Sequence, residues 1–482
     1  MTSISSGPAL ETTGARIPSS RRHSGRARAL RTLAVALGSA ALVAGCALYH
    51  PLPLARKPDL VRGLSGLRTV LPPTTAGGAP RRIATEGPLS IDDIGWLAIL
   101  NDPQLRSERG QMDVAQANLL QASLLPNPQA NVSWQSLLGG TDFTSAWSAS
   151  ITEDVKAILT YHTRVKSAHY QLGQVNADLL WQEWQVAQNA RLLALDIYWG
   201  GRALRLGRRE MRLFDQEVRD VKAATAAGNL ALTALAPLLA AQSSAQQFLS
   251  SLELTQLQSW QQLNALLGLE PQVRFAIARP DLPQDPKDID ALVDELPQRR
   301  PDLIALRLGY RSADEDVRTA IIGQFPAFVL GGAWGDDTAN NRTLGPTATF
   351  DLPVFDRNQG QVAQTRATRL LLHEQYQARL DAAAGTAKGL AVTIARLRGY
   401  VGDARSAASL AERLSKSARQ AYTQGNLDQQ SLADYETSSL QREIEAMALE
   451  RSLGEARIAM TIELGLGLPR TRIVPLANPR KP

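Results

Sequence analysis

Side chains able to do chemistry are few in this chain of 482 residues: one cysteine, Cys46, and five histidines, His23, His50, His162, His169 and His373. None of the histidines stands at metal-ligand spacing with the cysteine or with a carboxylate pair. His162 and His169 lie seven positions apart on one helix face. That is too far for a shared metal on a straight helix, so both read as solvated or packed helix residues. No glycine-rich phosphate loop, G-x-S-x-G elbow or H-E-x-x-H occurs in the sequence. Arg208-Arg209 and Arg299-Arg300 read as solvated charge pairs rather than nucleic-acid sites. With no convergent polar constellation, the sequence points away from an enzyme, and no metal and no cofactor are expected.

The formal charge of +6 is also misleading until it is apportioned. Residues 1–45 hold six arginines and one acid, Glu11, so they account for nearly all of it. That stretch has the parts of a secretory signal: an arginine-rich start, an apolar run from Leu33 to Val43, and small residues after it. The run is too short for a permanent membrane helix, which needs about 20 residues. It ends in Leu42-Val43-Ala44-Gly45-Cys46, which resembles a bacterial lipoprotein box, so a covalent lipid on Cys46 is expected. The other reading is a free cysteine in a discarded peptide. No later segment offers 18 consecutive apolar residues, so any membrane crossing must be made by strands.

The remaining candidates depend on the elements that carry them. Asp428 and Asp434 follow Gly425-Asn426, the two residue types that most readily take left-handed backbone angles. Before that break Leu380, Ala383, Ala387, Leu390, Ile394, Leu397, Val401, Ala404, Ala408 and Ala411 recur in steps of three and four, a coiled-coil seam. The pattern predicts a long helical hairpin bent at Gly425. An earlier one is expected too, since Ile158, Val165, Leu172, Leu179, Val186 and Leu193 recur every seven residues and Gly228-Asn229-Leu230 ends the run. Pro237 in the first turns of the return should either bend that helix or mark a late start.

Each hairpin is preceded by a shorter helix and a pair of alternating segments, about 130–135 with 145–152, and 328–334 with 347–353. Gly425-Asn426-Leu427 stands 197 positions after Gly228-Asn229-Leu230, as Leu464-Gly465-Leu466 does after Leu267-Gly268-Leu269. Arg300-Pro301-Asp302-Leu303 follows Asp102-Pro103-Gln104-Leu105 at 198. Three markers holding an offset of 197 or 198 point to an internal duplication. Four strands cannot close a barrel, and an open sheet in a bilayer leaves backbone groups unpaired, so other copies of the chain must supply the edges. Twelve strands from three chains would enclose water, but the residues do not choose three over four. Trp134, Trp147 and Trp334 fit either an interfacial girdle or ordinary packing. Gly200-Gly201 and Gly399 are expected where the long helices change curvature.

The order of elements resembles the outer-membrane efflux protein family, the TolC-like channels, over about residues 90 to 470. The resemblance is carried by Leu124-Leu125-Pro126-Asn127-Pro128, Arg299-Arg300-Pro301-Asp302-Leu303, Phe325-Pro326, Leu352-Pro353-Val354-Phe355-Asp356-Arg357-Asn358-Gln359-Gly360, and Tyr422-x-x-Gly425 with Leu432-x-Asp434. The Leu-Pro-Asn-Pro and Asp-Arg-Asn-Gln-Gly forms look most like the branch serving heavy-metal and related cation exporters. The resemblance implies an α+β, mainly α, fold: a trimeric 12-stranded membrane β-barrel continuous with a periplasmic α-helical barrel. It implies a lipid-anchored outer membrane protein that conducts passively, with a periplasmic adaptor and an inner-membrane pump of the RND type as partners and no nucleic acid. Asp434 matches an aspartate lining the gate, Tyr422 matches a tyrosine of the gate's hydrogen-bond network, and Asp428 is a second carboxylate beside them. The other reading of Asp434 is a solvated outer wall. Leu427 and Ser431 stand where an arginine and an aspartate are familiar, so the charged latch of the family is not matched. Gly228, Asn229, Gly425 and Asn426 are the tip turns expected to face the adaptor. The organisation expected is a lipoprotein signal peptide over 1–45, a lipid-anchored extended linker over 46–89, a first repeat over 90–270, an equatorial connector over 271–297, a second repeat over 298–468 and a tail over 469–482. The competing reading is a periplasmic adaptor or other structural coiled-coil lipoprotein, which needs only one hairpin.

Overall fold

A computed structural model of the chain describes residues 49–71, 81–136, 138, 139 and 145–467. The expected signal peptide, Cys46 and the tail from 469 lie outside the described residues. Residues 49–58 belong to a separate unit and are exposed, without helix or strand. From Asp59 onward the chain forms one unit.

That unit opens with a short strand pair, β1 (Val70–Leu71) and β2 (Arg81–Arg82), followed by α1 (Ile91–Asn101) and α2 (Pro103–Ser123). Asp102 separates the two helices. Its carboxylate accepts the Gln104 and Leu105 N–H groups at 2.7 and 2.9 Å, with Pro103 at the first helical position, where an N–H would have no partner anyway. Strands β3 (Gln129–Gln135) and β4 (Ala146–Asp154) lead into α3 (Val155–Ala226), a helix of 72 residues, and α4 (Leu235–Leu267) returns alongside it. Two short helices, α5 (Ile289–Asp294) and α6 (Leu296–Arg299), lie in the connector. The plan then repeats as α7 (Pro301–Ile322), β5 (Phe328–Asp336), β6 (Arg342–Phe350), α8 (Gln359–Thr423) and α9 (Gln429–Glu463). The molecule is mainly helical with antiparallel sheet.

The long seam of α8 is buried or half-buried at all ten positions read from the sequence, and Ala383, Ala387, Ile394 and Val401 pack with Leu453, Ala456 and Met460 of α9. A second core gathers α1, α3 and α4 around Leu97, Leu195, Leu263 and Leu267. Pro237 resolves as a late start. A single 3-10 turn, Leu232–Ala234, precedes α4, so the proline falls in the first helical turn, where its missing N–H leaves no bond unmade.

Three expectations change. The linker over 46–89 was read as an extended surface tether, yet Leu67, Leu71, Ile83 and Leu89 are buried in the core of α1, α3 and α4. Val61 and Leu89 also add parallel bridges to Leu269 and Ile277. Proline and glycine prevented regular structure there without removing the apolar residues spaced between them. Strand β6 begins five residues earlier than the alternation suggested. Asp337 builds a tight turn by accepting the Ala339 and Asn341 N–H groups, both at 2.8 Å, and Gly345-Pro346 disguises the strand behind it. Finally, Arg300 is no solvated charge but 3 % exposed. It donates to Asp302 at 3.0 and 2.7 Å and to Glu463 at 2.6 Å, and its guanidinium stacks over Trp181 at 4.6 Å. This single side chain ties α7, α9 and α3 together.

Candidate functional site

Two regions carry features that a folded helical protein does not need. The first is the sheet, whose strands run antiparallel in the order β3-β4-β5-β6. Its register pairs Val132 with Ala149, Trp134 with Trp147, Ala149 with Trp334, Trp334 with Leu344, Leu330 with Ala348 and Phe328 with Phe350. Because side chains alternate, all of these share one face with Ile151 and Pro346. The opposite face carries Asn131, Ser133, Ser148, Ser150, Thr343, Thr347 and Thr349. The apolar face is largely uncovered: Val132 is 76 % exposed, Trp134 70 % and Leu344 85 %, while Ala149 at its middle is buried and Glu153, Asp336 and Arg342 lie at its ends. The tryptophans cluster at the loop end of the strands, where Trp147 meets Trp334 edge to face at 6.2 Å and its indole N–H donates to Asp336 at 3.0 Å. Phe328, Phe350 and Phe355 mark the helical end. The outer edges of β3 and β6 face no other strand among the described residues.

The second region is the pair of hairpin tips. At both, a glycine in the left-handed region closes the helix: Gly228 at φ +76° and Gly425 at φ +74°. The Asn229 N–H reaches the Ala224 carbonyl and the Asn426 N–H reaches the Ala421 carbonyl, each at 2.9 Å. These are matched six-to-one closures. Asp428 caps α9: its carboxylate accepts the Ser431 N–H at 2.8 Å and the Ser431 hydroxyl at 2.7 Å, and this holds its pKa below the usual range. Tyr422 is about two-fifths exposed, and its carbonyl accepts the Gly425 N–H. Just behind the tip Arg419 of α8 pairs with the buried Glu436 of α9. Sequence reasoning passed over that pair because 17 positions and a turn separate its members.

Asp434 is exposed and borders an open cleft of about 550 Å³ between the two hairpins. Four carboxylates line this cleft, Glu217 and Asp220 from α3 with Asp428 and Asp434 from the second hairpin. Phe214, Val221, Leu230, Pro237 and Leu238 form its apolar wall. Burial raises the pKa of Glu217, and the Asp434 and Asp220 carboxylates raise it further. A second groove continues along the same helices to Glu210, whose pKa burial also raises while Gln441, its hydrogen-bond partner, opposes the shift. Glu217 gave no signal in the sequence, since it is one acid among many on a long helix.

Among the described residues no cluster of histidine, cysteine and carboxylate is placed to hold a metal ion, and His162 and His169 are exposed. Among the described residues no helix is long and apolar enough to cross a membrane. The Gly200 and Gly399 positions differ. A Cβ on Gly200 would meet the Gln256 side chain at 2.3 Å, so close packing of α4 accounts for it, whereas Gly399 faces open space.

Neither a family model nor a curated protein matches the sequence. Solved structures do match the fold. The chain is similar to a membrane protein from Pseudomonas aeruginosa at 18 % identity and a TM-score of 0.67, over 89 % of this chain and 99 % of that one. It is similar to the Campylobacter jejuni CmeC outer membrane channel at 15 % identity and a TM-score of 0.66, over 79 % and 87 %. It is also similar to the Neisseria gonorrhoeae MtrE outer membrane channel in its open state at 14 % identity and a TM-score of 0.60, over 88 % and 99 %. The chain therefore has the TolC-like fold of these outer membrane channels.

Proposed function

We propose that this chain is one subunit of an outer membrane efflux channel. Three copies join their sheets edge to edge into a 12-stranded barrel, and the long helices continue it as a tunnel into the periplasm. Substrate passes without chemistry, handed on by an inner-membrane pump, of the RND type, through a periplasmic adaptor. The observation that carries this reading is the sheet: one face is mainly apolar and largely exposed, with the charged Glu153, Asp336 and Arg342 confined to its two ends, the other is mainly polar, and both edges are open among the described residues. Exposed tryptophan and valine cost stability in water but none against lipid, and a polar face suits a water-filled bore. Strands β5 and β6 have nine residues each, within the range that spans a bilayer as a tilted strand. The structural likeness to outer membrane channels supports the same conclusion, and the duplicated strand-and-hairpin unit speaks against an adaptor.

In this reading Cys46 carries the lipid anchor, Gly228, Asn229, Gly425 and Asn426 face the adaptor, and Asp434 with Asp428 and Tyr422 lines the entrance. Purified protein in planar bilayers should run as a trimer and give discrete conductance steps. A monomer without conductance would sink the proposal. Radiolabelled palmitate should enter the wild type and not Cys46→Ser. Which solute passes, including whether it is a heavy-metal cation as the branch resemblance implies, is set by the pump and adaptor that dock.

A further inference from the structure

The pair Arg208-Arg209 is part of a longer stripe. At 3.6 residues per turn, Arg202, Arg205, Arg208, Arg209, Arg212 and Arg219 fall on about a third of the circumference of α3. All are exposed except Arg202, whose guanidinium stacks over Trp199 at 5.4 Å. Little opposes this charge. The returning helix α4 carries a single charged residue, Glu253, which accepts from Arg208 at 3.0 Å. Arg219 donates to Gln216 at 2.8 Å, and Arg205, Arg209 and Arg212 make no hydrogen bond or ion pair among the described residues. The two acids at the borders of the stripe are held by amides: Asp215 accepts from Gln242 at 2.7 Å and Asp220 from Gln216 at 2.9 Å.

The stripe turns away from both neighbours of α3. Gly207 faces Leu249 and Leu252 of α4, and Glu210 bonds to Gln441 of α9, all on the opposite side of the helix. In a closed ring of helices the two neighbours of any one helix stand nearer each other across the bore side, so the free face opposite them is the outer wall. The arginines therefore run down the outside of the tunnel for about 25 Å, starting about 70 Å from the sheet end of α3. Three copies carry them around the whole tube. Docking of a folded protein is centred on apolar and aromatic anchors, and between Arg202 and Arg219 this face has none, Gln216 being its only other member. A row of guanidinium forks, each matched to a carboxylate, suits instead a flexible polymer bearing repeated carboxylates. We propose that the stripe binds the acidic peptides of peptidoglycan, the anionic polymer that a tube crossing the periplasm must pass through. The inference rests on the channel reading for that compartment.

The test is co-sedimentation of the purified full-length oligomer with isolated peptidoglycan sacculi. Wild type should pellet with them, and Arg205→Gln, Arg209→Gln and Arg212→Gln combined should weaken binding about tenfold or more, as for the loss of three exposed charge pairs. Sodium chloride at about 0.5 M should release the wild type, because salt screens exposed charges. Sacculi whose carboxylates have been amidated should not pellet it. The three side chains are exposed and unpartnered, so the glutamine variant should keep the melting temperature and bilayer conductance of the wild type. Arg205→Lys, Arg209→Lys and Arg212→Lys combined should restore most of the binding. Equal pelleting of the glutamine variant, or of wild type with amidated sacculi, overturns the proposal. So does binding of a soluble acidic helical peptide with none to sacculi, which marks a protein partner. A wild type that pellets but does not conduct sinks the channel reading alone, and one that conducts but does not pellet sinks this inference alone.

Discussion

At the first tip the chain leaves Gly228 through a 3-10 turn into a helix with no side-chain cap, and Pro237 occupies its opening turn. At the second, 197 residues on, it leaves Gly425 straight into a helix capped by Asp428, and Arg419 clips that helix to its partner through Glu436. The closures are alike to the hydrogen bond, because a left-handed glycine followed by asparagine is enough to make them. The returns differ because they depend on side chains that only the second copy carries. The turn is the same at both tips, whereas Asp428 and Asp434 stand only on the second return, opposite Glu217 of the first hairpin.

The largest expected effect tests the likeness. Gly228→Val and Gly425→Val should each cost about 1–2 kcal/mol in urea unfolding, since both force a branched side chain into the left-handed region. Clearly unequal losses would break the equivalence of the tips. The difference between them is probed next. Asp428→Ala should cost about 1 kcal/mol as a lost cap, and faster amide exchange confined to the second tip would report it. Ala231→Asp, at the corresponding position of the first tip, should slow exchange there if the missing cap is what distinguishes the two.

A smaller effect compares the long helices. Gly399→Ala should stabilise by up to about 1 kcal/mol, because its added methyl enters open space in a helix interior. Gly200→Ala should not, because its methyl would push aside Gln256, which donates to the Ile197 carbonyl at 3.1 Å. A gain at both positions would remove the packing explanation for Gly200.

The smallest is a dependence on pH. Burial and the neighbouring Glu455 carboxylate, opposed by Arg451, raise the Asp196 pKa to about 7. Burial, with Asp302 adding, raises Asp178 to about 6. Each folded-state carboxyl holds a proton that the unfolded chain releases near its ordinary value of about 4. Their contribution is therefore complete below about pH 4 and is lost as pH rises toward 6 to 7. Melting temperature should fall across that window, and Asp196→Asn should flatten the fall.

The repeat, both tip turns, the seam of α8 and the strand pairs were legible in the sequence because each is a local signal. Left-handed angles need glycine, an amphipathic helix needs its three-and-four spacing, and a half-buried strand needs alternation. Where a local signal was masked, as by Gly345-Pro346 in β6, the boundary moved with it. The sequence by itself thus determined the long helices, the strand pairs and the fact that they occur twice, though not the short elements β1, β2, α1, α5 and α6. Only the tertiary structure decided that Arg300 is buried between Asp302, Glu463 and Trp181, that residues 61–89 complete a core, and that Glu217 meets Asp434 across a cleft. Those meetings join residues up to 217 positions apart. They depend on which helix faces turn toward each other, a property of the packed helices rather than of any single stretch of chain.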